Sequence, residues 1–148
     1  ILAKFKDKVG LPRDVALNDN KKRVELPVSE LKSDSLPIND IGLETIVNFT
    51  SEIESAKTVV LNGPAGISEV ADFALGTHEI IKAATKSEFS IIGGGHISAE
   101  VEHLGLAHRF SHISTGGGAL IDYLSGVKLP GVEALKAAAK RYEEAKKI

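Results

Sequence analysis

Three stretches of this sequence carry the residues needed to hold an anion. Each runs from an apolar segment into glycine and restarts as a helical pattern: Thr58 to Glu69 through Asn62-Gly63-Pro64-Ala65-Gly66, Phe89 to Glu100 through Gly93-Gly94-Gly95-His96, and Ser111 to Leu120 through Gly116-Gly117-Gly118. Glycine lets a backbone approach a ligand with no Cβ in the way, and the first N–H groups of the following helix have no partner within it. They point at whatever sits in front of the helix, and phosphate is the commonest biological anion to fill such a place. Taken singly, such a stretch is more often a tight turn or a close helix–strand packing than a ligand site. In a parallel α/β sheet, however, successive strand-to-helix loops emerge on the same edge, where ligands bind. The three together read as one nucleotide or phosphate site built from several loops.

The elements that must position these loops follow from periodicity. Strands are expected at Asp14–Leu17, Arg23–Pro27, Thr58–Leu61 and Phe89–Ile92, and Phe110–Ser114 returns as an apolar run. Asn18–Lys21 is a turn, and Ser29–Pro37 is a polar loop leading to Ile38-Asn39-Asp40-Ile41-Gly42. Helices are expected over residues 1–8, ending before Gly10 and Pro12, over Leu43–Ala56, from about His96 to Leu104 and from about Gly117 to Leu124. A short turn is expected at Glu69–Phe73, and Thr77 is read as the N-cap of a helix running to about Thr85. After Leu129-Pro130-Gly131, the Ala-rich segment Val132–Lys147 is the strongest helix former in the chain. Strand and helix alternate from residue 58 onward. That order implies right-handed crossovers and a mostly parallel sheet covered on both faces.

Composition sets outer limits. The chain has 148 residues, 43% hydrophobic and 26% charged, with a net charge of -2 and no cysteine. It is long enough to bury a core without disulfides or metals. Its charge gives no reason to expect nucleic-acid or membrane-surface binding, and no apolar run approaches the roughly 20 residues of a membrane span. The absence of cysteine fits a reducing compartment, and a cytoplasmic location is expected. The five histidines are irregularly spaced and give no zinc signature. The first residues, Ile1-Leu2-Ala3-Lys4-Phe5-Lys6, look like the middle of an amphipathic helix with neither initiator Met nor cap, so the chain is expected to be cut from a larger one.

The sequence resembles phosphoglycerate kinase. Asn62-Gly63-Pro64-Ala65-Gly66, then Glu69, then Phe73-Ala74-Leu75-Gly76-Thr77 follow the family's Asn-Gly-Pro-x-Gly, acidic residue and Phe-x-x-Gly-Thr. Ile92 to Gly95 matches its Ile-Gly-Gly-Gly, and residues 111–119 match Ser-His-Ile-Ser-Thr-Gly-Gly-Gly-Ala throughout. Leu129-Pro130-Gly131-Val132 resembles the late Leu-Pro-Gly turn, and Asp40-Ile41-Gly42 the Asp-x-Gly ahead of an earlier helix. The resemblance covers nearly the whole chain. It implies most of a C-terminal nucleotide-binding lobe: a Rossmann-like three-layer α/β/α sandwich with a mostly parallel sheet, incomplete at its N-terminal side. The final helix, about residues 131–147, would pack toward an N-terminal lobe that binds 3-phosphoglycerate. Neither that lobe's basic patch nor the Gly-Gly-Ala-Lys loop that opens the nucleotide lobe has a counterpart here.

Residue roles follow from the same likeness. Glu69 stands where the family uses a carboxylate to accept two vicinal ribose hydroxyls. Asn62, Gly63 and Pro64 would wall the sugar and phosphates, with Asn39, Gly93, Gly94, Gly95, His96, Ser114 and Thr115 completing the nucleotide site. Gly116, Gly117 and Gly118 would offer N–H donors to the phosphoryl group in flight, a reaction in which positioning and charge stabilisation carry catalysis. The ligand implied is Mg-ATP or Mg-ADP, as substrate. His96 departs from the Asp that most members place after the three glycines and resembles the archaeal branch. Neutral imidazole is a poor ligand for Mg²⁺, so no residue is assigned to the metal. His78, His103 and His108 are read as surface or satisfied residues, and His112 as part of the sheet. Two other readings stay open: a lobe that binds nucleotide without catalysing, and a structural remnant.

Overall fold

A computed structural model describes residues 2–33 and 36–146 of the chain. Among the described residues there are six strands and six α-helices, with two sheets of three strands each. The first sheet is antiparallel, in the order β2-β1-β3, from β1 (Asp14–Asp19), β2 (Lys22–Pro27) and β3 (Ile38–Ile41). β1 and β2 form a hairpin in register from Asp14 opposite Pro27 to Asp19 opposite Lys22. Its turn places Asn20 and Lys21 at positive φ, and Lys21 N–H donates to Asn18 Oδ1 at 2.7 Å. That Asn side chain substitutes for a backbone acceptor in the turn.

The second sheet is parallel: β4 (Thr58–Asn62), β5 (Phe89–Gly93) and β6 (His112–Ser114), in sequence order. Val59 pairs with Ser90, and Ile92 with Ile113. One face of this sheet turns Val59, Leu61, Ile92 and Ile113 toward the main core, where Ile81, Ala84, Ile97, Val101 and Phe110 pack with them. Each fully buried aliphatic chain there contributes about 1.5–3 kcal/mol. The covering helices are α3 (Leu75–Ala84) and α4 (Gly95–His103), while α2 (Leu43–Ser55) bridges β1 and α3. On the opposite face α5 (Gly117–Leu124) lies across the Gly93 end, where a Cβ on that glycine would sit 2.4 Å from Leu120 Cδ2. The result is the three-layer α/β architecture expected. Cover of the second face stops short, however, and Val60 and Phe89 remain 39% and 47% exposed there.

Element boundaries differ from the sequence expectation in instructive places. The first helix is α-helical only over α1 (Leu2–Phe5) and tightens to a 3₁₀ turn at Lys6–Lys8; Ile1, included in the expectation, lies outside the described residues. The loop expected at Ser29–Pro37 includes a 3₁₀ turn at Val28–Glu30, and its Asp34 and Ser35 are also outside them. The final helix α6 (Pro130–Ala145) starts with proline at its first turn, a position where the missing N–H costs nothing. Lys147, the expected end, is not among the described residues. Thr77 is not an N-cap: it is the third residue of α3 and is 1% exposed. The helix start is served instead from β3, where Asp40 Oδ2 accepts Gly76 N–H at 2.8 Å.

Candidate functional site

The three glycine-bearing loops meet at the C-terminal edge of the parallel sheet. Gly94 N–H donates to Ser114 O at 3.1 Å, which ties the loop after β5 to the end of β6. A Cβ built on Gly117 would lie 2.9 Å from Gly94 Cα, 3.2 Å from Gly94 N and 3.1 Å from Asn62 Oδ1. Asn62 ends β4, Gly94 follows β5 and Gly117 opens α5, so one point of closest approach joins all three loops. Gly117 has no positive φ; what requires glycine there is the neighbouring backbone. Gly94 is different, since its φ of +103° favours glycine in its own right.

Around this junction the helix starts are open. No side chain caps α4, whose N-cap is Gly94, or α5, whose N-cap is Gly116. Among the described residues the N–H groups of Gly95 and His96, and of Gly117 and Gly118, have no hydrogen-bond acceptor. A Cβ on Gly95 or Gly118 would meet nothing within 4 Å, so both face open space. Ser114 Oγ accepts Gly116 N–H at 3.3 Å and retains its own proton to donate. Thr115, next in the chain, is exposed, as is Pro64 in the first loop, where Gly63 turns the chain at φ +86°. The unpaired N–H groups at these two helix starts and the local dipole make this edge suited to anions.

Two cavities flank the junction. One, of about 520 Å³, is lined by Ser68, Glu69, His78, His96, Glu100 and His103 among others. Glu69 and His96 therefore line one cavity. His78, read from sequence as a surface or satisfied residue, lines the same cavity with its Nε2 3.3 Å from Glu100 Oε1. The other cavity, of about 260 Å³, is bounded by Asn39, Pro64, Gly66 and Ile67. Asn39 thus lies with Pro64 and not with Glu69. His112 is in β6 as expected, with an exposed side chain.

Sequence reasoning missed the charged framework behind these loops. Asp40, fully buried in its side chain, accepts Arg23 Nη1–H at 2.8 Å, Gly76 N–H at 2.8 Å and its neighbour Ile41 N–H at 2.8 Å. Arg23 also donates to Glu25 at 2.7 Å, Ile41 O at 2.7 Å and Asp72 O at 3.0 Å. Burial pulls the guanidinium pKa down, but the hydrogen bonds and charges of Asp40 and Glu25 outweigh it and hold Arg23 above its usual value. A parallel arrangement serves α2. Asp14 accepts from the Glu44 and Thr45 amides at 2.9 and 2.8 Å and from the Thr45 hydroxyl. Burial raises its carboxyl, and these donors more than reverse the effect, leaving it below the ordinary carboxylate range. The Asp-x-Gly motif at Asp40 was the available signal. Its partners lie up to 36 residues away, so the motif alone could not name them.

Comparison with known proteins now decides the family. The model of the family described as phosphoglycerate kinase matches residues 1–127. The chain belongs to the phosphoglycerate kinase family. A phosphoglycerate kinase of Methanosarcina mazei is 80% identical over all 148 residues, and one of Methanosarcina acetivorans is 78% identical. Both are archaeal, in line with the branch that His96 suggested. The chain spans about 36% of the length of these curated relatives. Among solved structures, phosphoglycerate kinase from Pyrococcus horikoshii superposes with a TM-score of 0.83 at 34% identity, covering 94% of this chain and 35% of that one. The enzyme from Coxiella burnetii gives 0.77 at 32% identity, covering 88% and 35%. No helix among the described residues is long and apolar enough to cross a membrane.

Proposed function

We propose that this chain is most of the nucleotide-binding lobe of a cytoplasmic phosphoglycerate kinase. The complete enzyme would move a phosphoryl group reversibly between ATP and 3-phosphoglycerate, with 1,3-bisphosphoglycerate and ADP as the other pair. The observation that carries this reading is the junction of Asn62, Gly94 and Gly117, which gathers two uncapped helix starts at one sheet edge beside the cavity of Glu69 and His96. Glu69 would accept the ribose hydroxyls. Asn62, Gly63 and Pro64 would wall the sugar and phosphates, and Asn39 would border the cavity on the far side of Pro64. Gly93 to His96 would hold the phosphates. The amides of Gly116, Gly117 and Gly118, with the Ser114 and Thr115 hydroxyls, would stabilise charge on the transferring group.

The nucleotide would enter as its magnesium complex. Backbone N–H, hydroxyl and imidazole groups dominate the loop tips, and these suit phosphate oxygens better than Mg²⁺, which prefers oxygen ligands. The metal is therefore assigned to the phosphates and not to His96. The acceptor, 3-phosphoglycerate, would reach the site through the N-terminal lobe, with neither nucleic acid nor membrane involved. α6 supports such an arrangement, because none of its residues is buried and Val132, Leu135 and Tyr142 are exposed along it. One lobe alone offers neither the second substrate nor closure, so the isolated chain would not turn over.

The test is Glu69→Gln in the full-length protein, with ADP affinity measured by calorimetry. Loss of charged hydrogen bonds to the ribose should weaken binding by about 1.5–3 kcal/mol, or roughly 10- to 150-fold in Kd. Unchanged affinity would remove Glu69 from the site and with it the cavity as the place of the sugar.

A further inference from the structure

The segment between Asn62 and Glu69 supplies side chains to both cavities, yet it contains no regular secondary structure and turns at a glycine with φ +86°. A segment of this kind holds its shape only where its backbone groups find fixed partners. Ala65 N–H and Gly66 N–H both donate to Thr77 Oγ1, each at 3.1 Å. Ile67 N–H donates to Asn39 O at 2.8 Å. Gly66 also passes so close to Asp40 that a Cβ would lie 2.3 Å from Oδ1. The hydroxyl of Thr77 is thus the one side-chain acceptor that fastens two consecutive amides of the loop. It is well placed to do so: Thr77 is 1% exposed, sits in the first turn of α3 and is β-branched, which restricts its side-chain rotation. The start of α3 is itself fixed by Asp40, through Gly76 N–H.

We infer that Thr77 is a positioning residue for nucleotide binding: its hydroxyl sets the conformation of the Pro64–Ile67 segment and so the place from which Glu69 reaches its ligand. The inference rests on the nucleotide reading of this edge. Thr77 touches no ligand in this scheme. Its effect passes through the amides of Ala65 and Gly66, so binding should follow the hydroxyl and not the methyl group.

Thr77→Val keeps the shape and removes the acceptor, whereas Thr77→Ser keeps the acceptor. In the full-length protein, Thr77→Val should raise the Kd for magnesium ADP about tenfold per folded molecule, the effect of leaving two half-buried donors unpaired in a binding loop. KM for 3-phosphoglycerate should stay as it was, and Thr77→Ser should bind ADP as the unsubstituted protein does. A lowered thermal midpoint with unchanged ADP affinity would overturn the inference and leave Thr77 a purely structural residue. Glu69→Gln run beside it separates the two ideas. If Glu69→Gln loses affinity and Thr77→Val does not, the site stands and the positioning role is gone; if neither loses affinity, both fall. Should Thr77→Val not fold, amide hydrogen exchange in the unsubstituted, ligand-free protein decides. Ala65 and Gly66 should exchange far more slowly than Gly63, and free exchange at both would overturn the inference.

Discussion

α2 and α3 begin on carboxylates, whereas α4 and α5 begin on glycines with nothing in front of them. Asp14, from β1, accepts the Glu44 and Thr45 amides of α2, and Asp40, from β3, accepts the Gly76 amide of α3. Both acids belong to the antiparallel sheet and both are buried. The starts of α4 and α5 follow β5 and β6 of the parallel sheet, and their N-caps are Gly94 and Gly116 with no side-chain bond. The dipole, and the first-turn N–H groups that find no acceptor within their own helix, are alike in all four. What differs is whether the protein supplies its own anion. The antiparallel half closes its helix starts with its own carboxylates, while the parallel half leaves its starts uncapped, as the proposed phosphate site needs.

Breaking the closed starts should cost stability. The largest loss is expected at Asp40→Asn, which leaves Arg23 largely buried without its fully buried partner and weakens the seat of α3. Removing one member of such a pair costs about 3–5 kcal/mol, moderated here by Glu25. Chemical denaturation should show it as a lower midpoint at unchanged slope. A loss under about 1 kcal/mol would mean that Asp40 neither holds Arg23 nor caps α3.

Asp14→Asn should cost less, about 1–3 kcal/mol, because a neutral side chain can still fill the space and accept from one donor. Its signature is in the pH dependence. The folded carboxyl lies below its unfolded value, so the stability it confers is present above the unfolded pKa of about 3.9 and is lost as pH falls through the lower folded value. Unfolding midpoints measured from pH 6 down to pH 2 should therefore fall less steeply in Asp14→Asn than in the unsubstituted protein. Equal slopes would contradict the capping role of this carboxylate.

The open and closed starts were not equally visible in the sequence. Gly93–Gly95 and Gly116–Gly118 are visible locally, because each follows an apolar strand, and with the Asn62–Gly66 turn they recur three times in the same strand–glycine–helix order. The helices at residues 43–55 and 117–124 were likewise legible, since apolar periodicity is a property of neighbours. The capping of α3 was not. Thr77 followed by an acidic residue has the local form of a helix start, but the chain caps that helix three residues earlier, at Ala74, and Asp40 supplies the acceptor from 36 residues away. The freed hydroxyl of Thr77 then serves Ala65 and Gly66. Contacts of this range are set by tertiary packing, which leaves no trace in spacing. For the same reason Asn39 and Glu69 could be assigned to one site by likeness, yet only the fold shows that they line separate cavities.

The contrast between the two kinds of helix start is tested most directly by following backbone amide resonances of the full-length protein as magnesium ATP is added. The N–H signals of Gly95, His96, Gly117 and Gly118 should move with saturation, while those of Glu44, Thr45 and Gly76, already bonded to Asp14 and Asp40, should hold their positions. Equal movement at both sets, or movement at Glu44 and Gly76 with Gly95 and Gly118 unchanged, would contradict the assignment of the parallel-sheet edge as the phosphate site.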